Sequence, residues 1–243
     1  MTLLGKDLSK LRRERKTKNF TLNTSLRVGL LTLSAIRELH DIFVISRDIK
    51  PSNFALGWIN FASKASFGFC GTTRYASLRA HQKLELGRRD DLESWLYVMV
   101  ELSSGTLPWK TPSRKKKQLK EQVYKAKLRI RFGDERKKFL KNSLPIFDYI
   151  LMIIDELTLE ADPPYDQIQY IFEKLMLEAD VKWDDIYDWE ETEKMQSKQS
   201  MSSDRITSTS TAIAIYSRYR PTQFRVTTTI TASTESSSLL PNV

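Results

Sequence analysis

A short polar run contains the residue types that phosphoryl transfer requires. Residues 46–55 read SRDIKPSNFA, where Lys50 follows Asp48 by two positions and Asn53 follows it by five. On a tight loop with a proline, the carboxylate could orient a substrate hydroxyl and accept its proton, while the ammonium neutralises the phosphate and the amide oxygen holds Mg²⁺. In isolation the same spacing also fits an ordinary polar loop, so both interpretations stay open at this point.

The chain around this run is predicted to be mainly helical. Leucine and isoleucine recur every three or four residues across 21–42, and Thr21, Asn23 or Thr24 could cap the start of that helix. Residues 49–56 favour a turn followed by a short strand, because proline is excluded from the centre of a sheet. Further helices are predicted at residues 115–128, 146–159 and 165–178.

Residues 91–103 differ in kind from the other helical segments. Their apolar side chains cover nearly every face of a helix, namely Leu92, Trp95, Leu96, Val98, Met99, Val100 and Leu102. A helix that is apolar all round is expected to be buried on all sides. Gly105 is predicted to end this helix in the left-handed conformation, and Pro108 prevents the helix from resuming. The fold is therefore a helical body around one central buried helix.

Positive charge is concentrated in one segment. The net charge of the chain is +9, and residues 110–141 alone hold 14 Lys or Arg against 3 Asp or Glu. A cationic surface of this kind attracts acidic partners, such as phosphorylated peptides or acidic protein tails. Lys115, Lys116 and Lys117 are the predicted contacts, and a solvated helix surface is the alternative. Few aromatic residues interleave with the lysines, so nucleic acid is not an expected partner.

The composition also indicates where in the cell the protein is located and how the chain divides into domains. A single cysteine, Cys70, excludes an internal disulfide framework and fits a reducing compartment. The first residues lack the apolar core of a signal peptide, and no stretch is apolar enough to span a bilayer. We therefore expect a soluble protein of the cytoplasm or the nucleus. In residues 191–243, 21 of 53 residues are Ser or Thr, which predicts a disordered tail.

Several motifs, all in register, resemble protein kinases of the casein kinase I and tau-tubulin kinase group. The sequence RDIKPSNFALG at 47–57 resembles the catalytic loop, and GTTRYAS at 71–77, followed by Ala80 and His81, resembles the GTxRYASxxAH of that group. The sequence GRRDDLESW at 87–95 is similar to the start of the central kinase helix. Further matching motifs are LPW at 107–109, PY at 164–165 and DWE at 188–190.

This resemblance covers residues 1–190 and implies a fold. Residues 1–190 would form the C-terminal lobe of a protein kinase, a mainly α-helical unit with few short strands, and residues 191–243 would follow it as the tail. The first twelve residues resemble the hinge and the first helix of that lobe, so we expect the N-terminal lobe to be absent from this chain. The implied cofactors are ATP and Mg²⁺, and the implied substrate is a protein serine or threonine.

The resemblance also implies a role for individual residues. Asp48 would be the catalytic base, Lys50 the lysine that contacts the phosphate, and Asn53 a Mg²⁺ ligand. The residues implied to support the site are Arg47, Thr72, which would brace Asp48 and Lys50, and Asp91, which would hold the backbone of the catalytic loop from the central helix. The residues implied to lie along the hinge under the adenine are Leu3, Leu4 and Gly5.

Three departures from the family pattern affect the predicted activity. Neither a G-x-G-x-x-G loop nor the lysine of a V-A-I-K motif occurs in the 243 residues. The metal-binding Asp-Phe-Gly is also missing, and Ser66-Phe67-Gly68 is either a degenerate copy of it or a junction left by a deletion. Ser46 replaces the usual histidine before Arg47, which alone is tolerable.

Two functions follow from these departures. The first is a serine/threonine kinase by descent whose sequence is incomplete as written. The second is a catalytically inactive kinase lobe that binds proteins through its basic segment. In either case we expect the chain as written not to turn over ATP.

Overall fold

The computed structural model describes residues 5–56, 72–109 and 116–191, with the side chains of residues 116–118 excepted. Within these ranges the chain is mainly helical, as predicted, and its only strand-like pairing is one antiparallel bridge between Asp7 and Ala55. The helices are α1 (Leu8–Glu14), α2 (Leu22–Asp41), α3 (Leu78–Gln82), α4 (Arg88–Ser104), α5 (Lys116–Arg129), α6 (Gly133–Leu140), α7 (Ile146–Glu156) and α8 (Tyr165–Glu178), with a 3-10 helix at Pro51–Asn53.

Helix α4 forms the centre of the core. Every side chain from Asp90 to Ser103 is buried, and Trp95, Val98 and Leu102 have no exposed surface, which confirms the predicted central helix. Helices α2 and α7 pack against α4, and α8 packs against α2 and α7. The indole Nε1 of Trp95 donates to Thr32 Oγ1 on α2 at 2.8 Å, so the buried N–H of this large side chain is satisfied.

The ends of the two long helices follow from local sequence. Thr21 caps α2, since its side chain accepts a hydrogen bond from the Thr24 N–H, and it is one of the three predicted caps. Gly105 ends α4 with φ +83°, a left-handed conformation that costs glycine little, and its N–H donates to Glu101 O. This end of α4 therefore also agrees with the prediction.

The strand predicted within residues 49–56 is shorter in the structure than the prediction allowed. The segment forms the 3-10 helix Pro51–Asn53 and then contributes a single bridge residue, Ala55. The reason is that its partner segment is short: Gly5 and Lys6 pair with Leu56, but the chain enters α1 at Leu8 and no ladder can continue.

Other boundaries also differ from the predictions made from periodicity. Helix α7 ends at Glu156 rather than at residue 159, because Leu157 turns to extended backbone. Helices α3 and α6 were not predicted, and both are too short, at 5 and 8 residues, to show a clear periodic pattern. None of the helices that the structure describes is long and apolar enough to cross a membrane.

Candidate active site

The three residues of the polar run lie together. The Lys50 ammonium forms an ion pair with the Asp48 carboxylate, and Asn53 Nδ2 donates to the main-chain oxygen of Asp48 at 2.8 Å. The 3-10 helix that begins at Pro51 turns the chain so that Asn53 returns to Asp48. The side chains of Lys50 and Asp48 are 27% and 25% exposed, so a substrate could reach both from solvent.

Asp91 holds the backbone in front of these residues. Its buried carboxylate accepts the Ser46 N–H at 2.7 Å on Oδ2 and the Arg47 N–H at 2.8 Å on Oδ1. Arg47 has φ +61°, a left-handed conformation that a non-glycine residue adopts only when its surroundings hold it there. The two hydrogen bonds to Asp91 therefore fix the turn that presents Asp48. The Arg47 side chain itself is exposed.

His40 supports Asp91 in a way that the sequence did not reveal. The His40 ring is buried at the end of α2, and its Nε2 lies 3.0 Å from Asp91 Oδ2. Its Nδ1 contacts the hydroxyl of Tyr165 at the start of α8. The chain therefore links α2, α4 and α8 through one buried polar cluster directly behind the polar run.

The segment after the undescribed residues 57–71 also reaches Asp48. The main-chain N–H of Thr72 donates to Asp48 Oδ1 at 3.2 Å, so the contact comes from the backbone. The Tyr75 and Ala76 N–H groups both donate to Thr72 O, at 2.8 and 3.1 Å, which folds residues 72–76 into a tight turn. We call this segment the 72–76 turn.

Two elements of the core anchor the 72–76 turn. From α4, the buried Glu101 carboxylate pairs with the Arg74 guanidinium at 2.6 Å and accepts a hydrogen bond from the Tyr75 hydroxyl. Burial, and the nearby Glu101 charge, raise the pKa of Tyr75 well above its usual value. The Trp109 indole donates to Arg74 O at 2.8 Å. The turn is thus fixed to the end of the central helix and to the LPW motif.

The predicted hinge residues are described only in part. Leu3 and Leu4 lie outside the described residues. Gly5 donates its N–H to Leu56 O at 2.8 Å, and a Cβ at this position would lie 2.9 Å from that oxygen. The chain therefore places Gly5 against the end of the polar run, where a side chain would collide with the backbone.

The basic segment is less cationic at its surface than the sequence count implied. Lys115 lies outside the described residues, and only the backbone of Lys116 and Lys117 is described. Lys127 is fully buried, and Arg131 is buried in an ion pair with Glu93 at 2.9 Å. Other cations pair with exposed acids, of which only Asp148 lies outside the three already counted in residues 110–141; the pairs are Lys125–Glu121, Lys137–Asp134, Lys138–Glu135 and Arg136–Asp148. The prediction that the whole excess forms one face is therefore wrong for Lys127 and Arg131.

The described residues do not suffice for a Mg²⁺ site. They contain no group of three or more His, Cys, Asp or Glu side chains that could hold a metal ion. Asn53 could offer its amide oxygen, but Asp48 is already paired with Lys50. No Asp or Glu occurs anywhere between Asn53 and Thr72, and Ser66-Phe67-Gly68 lies outside the described residues. One neutral oxygen is a poor site for a hard dication, so no chemical step is assigned to a metal here.

A partly buried histidine beside the 72–76 turn, His81, gives a prediction about pH. Burial, and the charges of Lys127 and Lys120, lower the pKa of His81 from 6.5 to about 4. As the pH falls below 6.5, His81 is protonated in the unfolded chain but stays neutral in the folded protein. Protonation therefore favours the unfolded chain, and the stability contributed by His81, complete above pH 6.5, is lost as the pH falls toward 4. After allowance for the partial exposure of the ring, we expect a loss of about 1 to 2 kcal/mol.

The measurement is urea unfolding at pH 7 and at pH 4.5, for the wild type and for His81→Gln. The variant should lose less unfolding free energy between the two values, because glutamine does not titrate. An equal loss in the two proteins would show that His81 is not the responsible group.

Sequence comparisons show which known proteins this chain resembles. No protein-family model matches the chain. The chain is 34% identical over 187 residues to a probable serine/threonine-protein kinase of Dictyostelium discoideum, covering 67% of this chain and 36% of that protein. It is 31% identical over 221 residues to the serine/threonine-protein kinase spe-6 of Caenorhabditis elegans, covering 82% of this chain and 58% of the relative. A probable casein kinase I homolog of Encephalitozoon cuniculi is 36% identical over 142 residues, which is 49% of this chain and 46% of that protein.

These alignments cover only part of each relative. The chain spans between about a third and three fifths of the length of these relatives. The matched proteins are named as serine/threonine kinases or casein kinase I homologs, and the structure described here is mainly helical. The chain is therefore related to the serine/threonine protein kinases, and its helical body is a fragment resembling the C-terminal lobe of a kinase.

Proposed function

We propose that this chain is the catalytic-loop lobe of a casein kinase I-like protein kinase, whose reaction is phosphoryl transfer from ATP to protein serine or threonine. The observation that carries the proposal is the arrangement of Asp48, Lys50 and Asn53 in one loop, held from the central helix by Asp91. The sequences SNFA and GTTRYAS, and the similarity to a probable casein kinase I homolog, support the narrower assignment.

In the proposed reaction each residue has a limited task. The partly exposed Asp48 carboxylate orients the substrate hydroxyl and accepts its proton, while the Thr72 N–H keeps the carboxylate in place. The Lys50 ammonium offsets negative charge on the transferring phosphate. ATP would supply the phosphoryl group, and Gly5 would lie near its base by the family resemblance.

A second function is favoured by one observation. The 18 residues from 54 to 71 contain no Asp or Glu, so the carboxylate that would hold a metal ion is missing from that stretch. A lobe of this kind could act without catalysis, as a module that binds an acidic or phosphorylated protein through its basic segment. The retention of Asp48, Lys50 and Asn53 in an ordered loop argues for the kinase.

Sequencing of transcripts across the codons for Met1 and for residues 57–71 separates the two functions. The kinase proposal predicts a longer reading frame that encodes a Gly-rich loop and an Asp-Phe-Gly. A protein produced from that frame should transfer radiolabelled phosphate to an acidic protein substrate, and Asp48→Asn should abolish the transfer. A transcript that matches the present chain at both places would favour the binding module.

Binding of an acidic partner by the basic segment is also testable. We expect an acidic or phosphorylated peptide to bind the chain more weakly as salt rises, because exposed charges are screened within about 8 Å at physiological ionic strength. The combined change of Lys115, Lys116 and Lys117 to Ala should reduce the affinity about tenfold or more, at roughly 1 kcal/mol or less for each charge removed. The measurement is fluorescence anisotropy of a labelled peptide at 50 mM and 300 mM salt.

A matched variant controls for net charge. Changing Lys125, Lys137 and Lys138 to Ala removes three cations that already pair with neighbouring acids. This variant should keep most of the affinity. Equal losses in the two triple variants, or binding that is insensitive to salt, would contradict a role for Lys115, Lys116 and Lys117.

A further inference from the structure

A lysine inside the core contacts the 72–76 turn. Lys127 projects from α5, has no exposed surface, and its ammonium donates to Thr73 O at 3.1 Å and to Ala76 O at 2.6 Å. Nε2 of His81 lies 3.3 Å from the same nitrogen, and a neutral His81 can accept this hydrogen bond. The three N–H bonds of an ammonium therefore have three acceptors.

Aromatic rings enclose the rest of this group. The ammonium lies 4.7 Å from the centroid of the Tyr97 ring and 5.1 Å from that of Trp109. A buried ammonium is costly unless it is hydrogen-bonded, and interactions with ring faces offset part of the cost. Burial lowers the pKa of Lys127, while the charge of Glu93 opposes that shift. So many compensating contacts indicate that this position requires a donor.

The acceptors of Lys127 belong to the turn that contacts the proposed catalytic base. Thr73 and Ala76 lie in the 72–76 turn, whose first N–H donates to Asp48 Oδ1. Glu101 holds the side chains of Arg74 and Tyr75 in the same turn, but it leaves these two main-chain carbonyls to Lys127. The ammonium thus connects α5 to the main chain of the turn whose Thr72 N–H contacts Asp48.

We propose that Lys127 is a positioning residue for the catalytic site. By holding the Thr73 and Ala76 carbonyls, it fixes the 72–76 turn so that the Thr72 N–H stays on the Asp48 carboxylate. Lys127 touches neither substrate nor nucleotide in this role. The proposal rests on the proposed function for the part played by Asp48, whereas the placement of the turn is independent of catalysis.

Amide hydrogen exchange of the full chain tests this role without ATP. In Lys127→Met, which keeps a long unbranched side chain and removes the donors, the Thr72, Tyr75 and Ala76 amides should exchange at least tenfold faster than in the wild type. The exchange rates of the α4 amides should change only by the amount that the change in global stability predicts. Failure of this experiment would not bear on phosphoryl transfer, which needs its own assay.

A variant in the same helix separates positioning from general destabilisation. Val123 is buried in α5 without a polar role, so Val123→Ala weakens the packing of the helix. Urea is used to bring the two variants to the same global stability. At equal global stability, the Thr72, Tyr75 and Ala76 amides should exchange faster only in Lys127→Met. Lys127→Gln keeps two N–H donors on a shorter side chain, so its exchange rates should lie between those of Lys127→Met and the wild type. Equal exchange in the Met and Ala variants would overturn the proposal.

The wild type gives a test even if the Lys127 variants do not fold. If Lys127 joins the turn to α5, the hydrogen-bonded amides of Thr72, Tyr75 and Ala76 should open only together with those of α5, with the same dependence on urea. Opening of the turn at rates at least tenfold above those of α5, with no urea dependence, would overturn the proposal.

Discussion

Replacing Asp91 by Asn is expected to lower the free energy of unfolding by about 2 to 4 kcal/mol, because a buried group that serves several partners is lost. The carboxylate accepts the N–H groups of Ser46 and Arg47 and lies beside His40. An asparagine of the same shape keeps one acceptor and turns an NH₂ group toward one of the donors. That donor then remains buried without a partner.

The measurement is chemical unfolding of the wild type and of Asp91→Asn at neutral pH. Asp166→Asn is the matched control, since it removes a carboxylate that is 85% exposed and pairs with Arg37 at the surface. The control should change stability by less than about 0.5 kcal/mol. If the two variants were equally stable, the hydrogen bonds of Asp91 to the Ser46 and Arg47 N–H groups would not contribute to stability as argued.

Phosphate transfer by the 243-residue chain is expected to lie below detection. Phosphoryl transfer depends on positioning and on charge stabilisation that several groups supply together. The chain contains Asp48, Lys50 and Asn53, but no G-x-G-x-x-G, no V-A-I-K lysine and no carboxylate between residues 54 and 71. Loss of one well-placed electrostatic contact costs about 3 to 4 kcal/mol of transition-state stabilisation, or roughly a hundred- to thousandfold in rate.

Radiolabelled ATP with an acidic protein substrate measures this transfer. The losses are not additive, but two or more of them should remove any signal above that of Asp48→Asn, which serves as the blank. Transfer by the wild type that disappears in Asp48→Asn would mean that other residues of the chain replace the missing groups.

Sequence alone was sufficient where structure depends on neighbours along the chain. The central helix was predicted because Trp95, Val98 and Leu102 are part of an apolar pattern on every face, which only a buried helix satisfies. The left-handed end at Gly105 follows from one residue type. Asp48 and Asn53 lie five residues apart, so a tight turn is enough to bring them together.

Apart from the contacts that the family resemblance implied, sequence was insufficient where the contact partners are distant in the chain. His40 and Asp91 are 51 residues apart, and nothing near either residue predicts their contact. Lys127 looks like one more surface cation in a basic segment, and its burial depends on how α5 packs against Tyr97 and Trp109. Charge counts along the chain cannot distinguish a solvated lysine from one that holds backbone carbonyls in the core.

The loop that carries Asp48, Lys50 and Asn53 is ordered among the described residues, while the sequence contains no G-x-G-x-x-G, no V-A-I-K lysine and no Asp-Phe-Gly that would hold Mg-ATP. The most direct test is the thermal unfolding of the 243-residue chain with and without millimolar Mg-ATP, with MgCl₂ alone as the control. A ligand at a hundred times its dissociation constant should stabilise a folded protein by about 2.7 kcal/mol, which raises the unfolding temperature by roughly 5 to 11 °C at this size. We predict no shift for this chain. A reproducible increase of several degrees in the unfolding temperature that requires both Mg²⁺ and ATP would show that the chain binds Mg-ATP, contrary to this prediction.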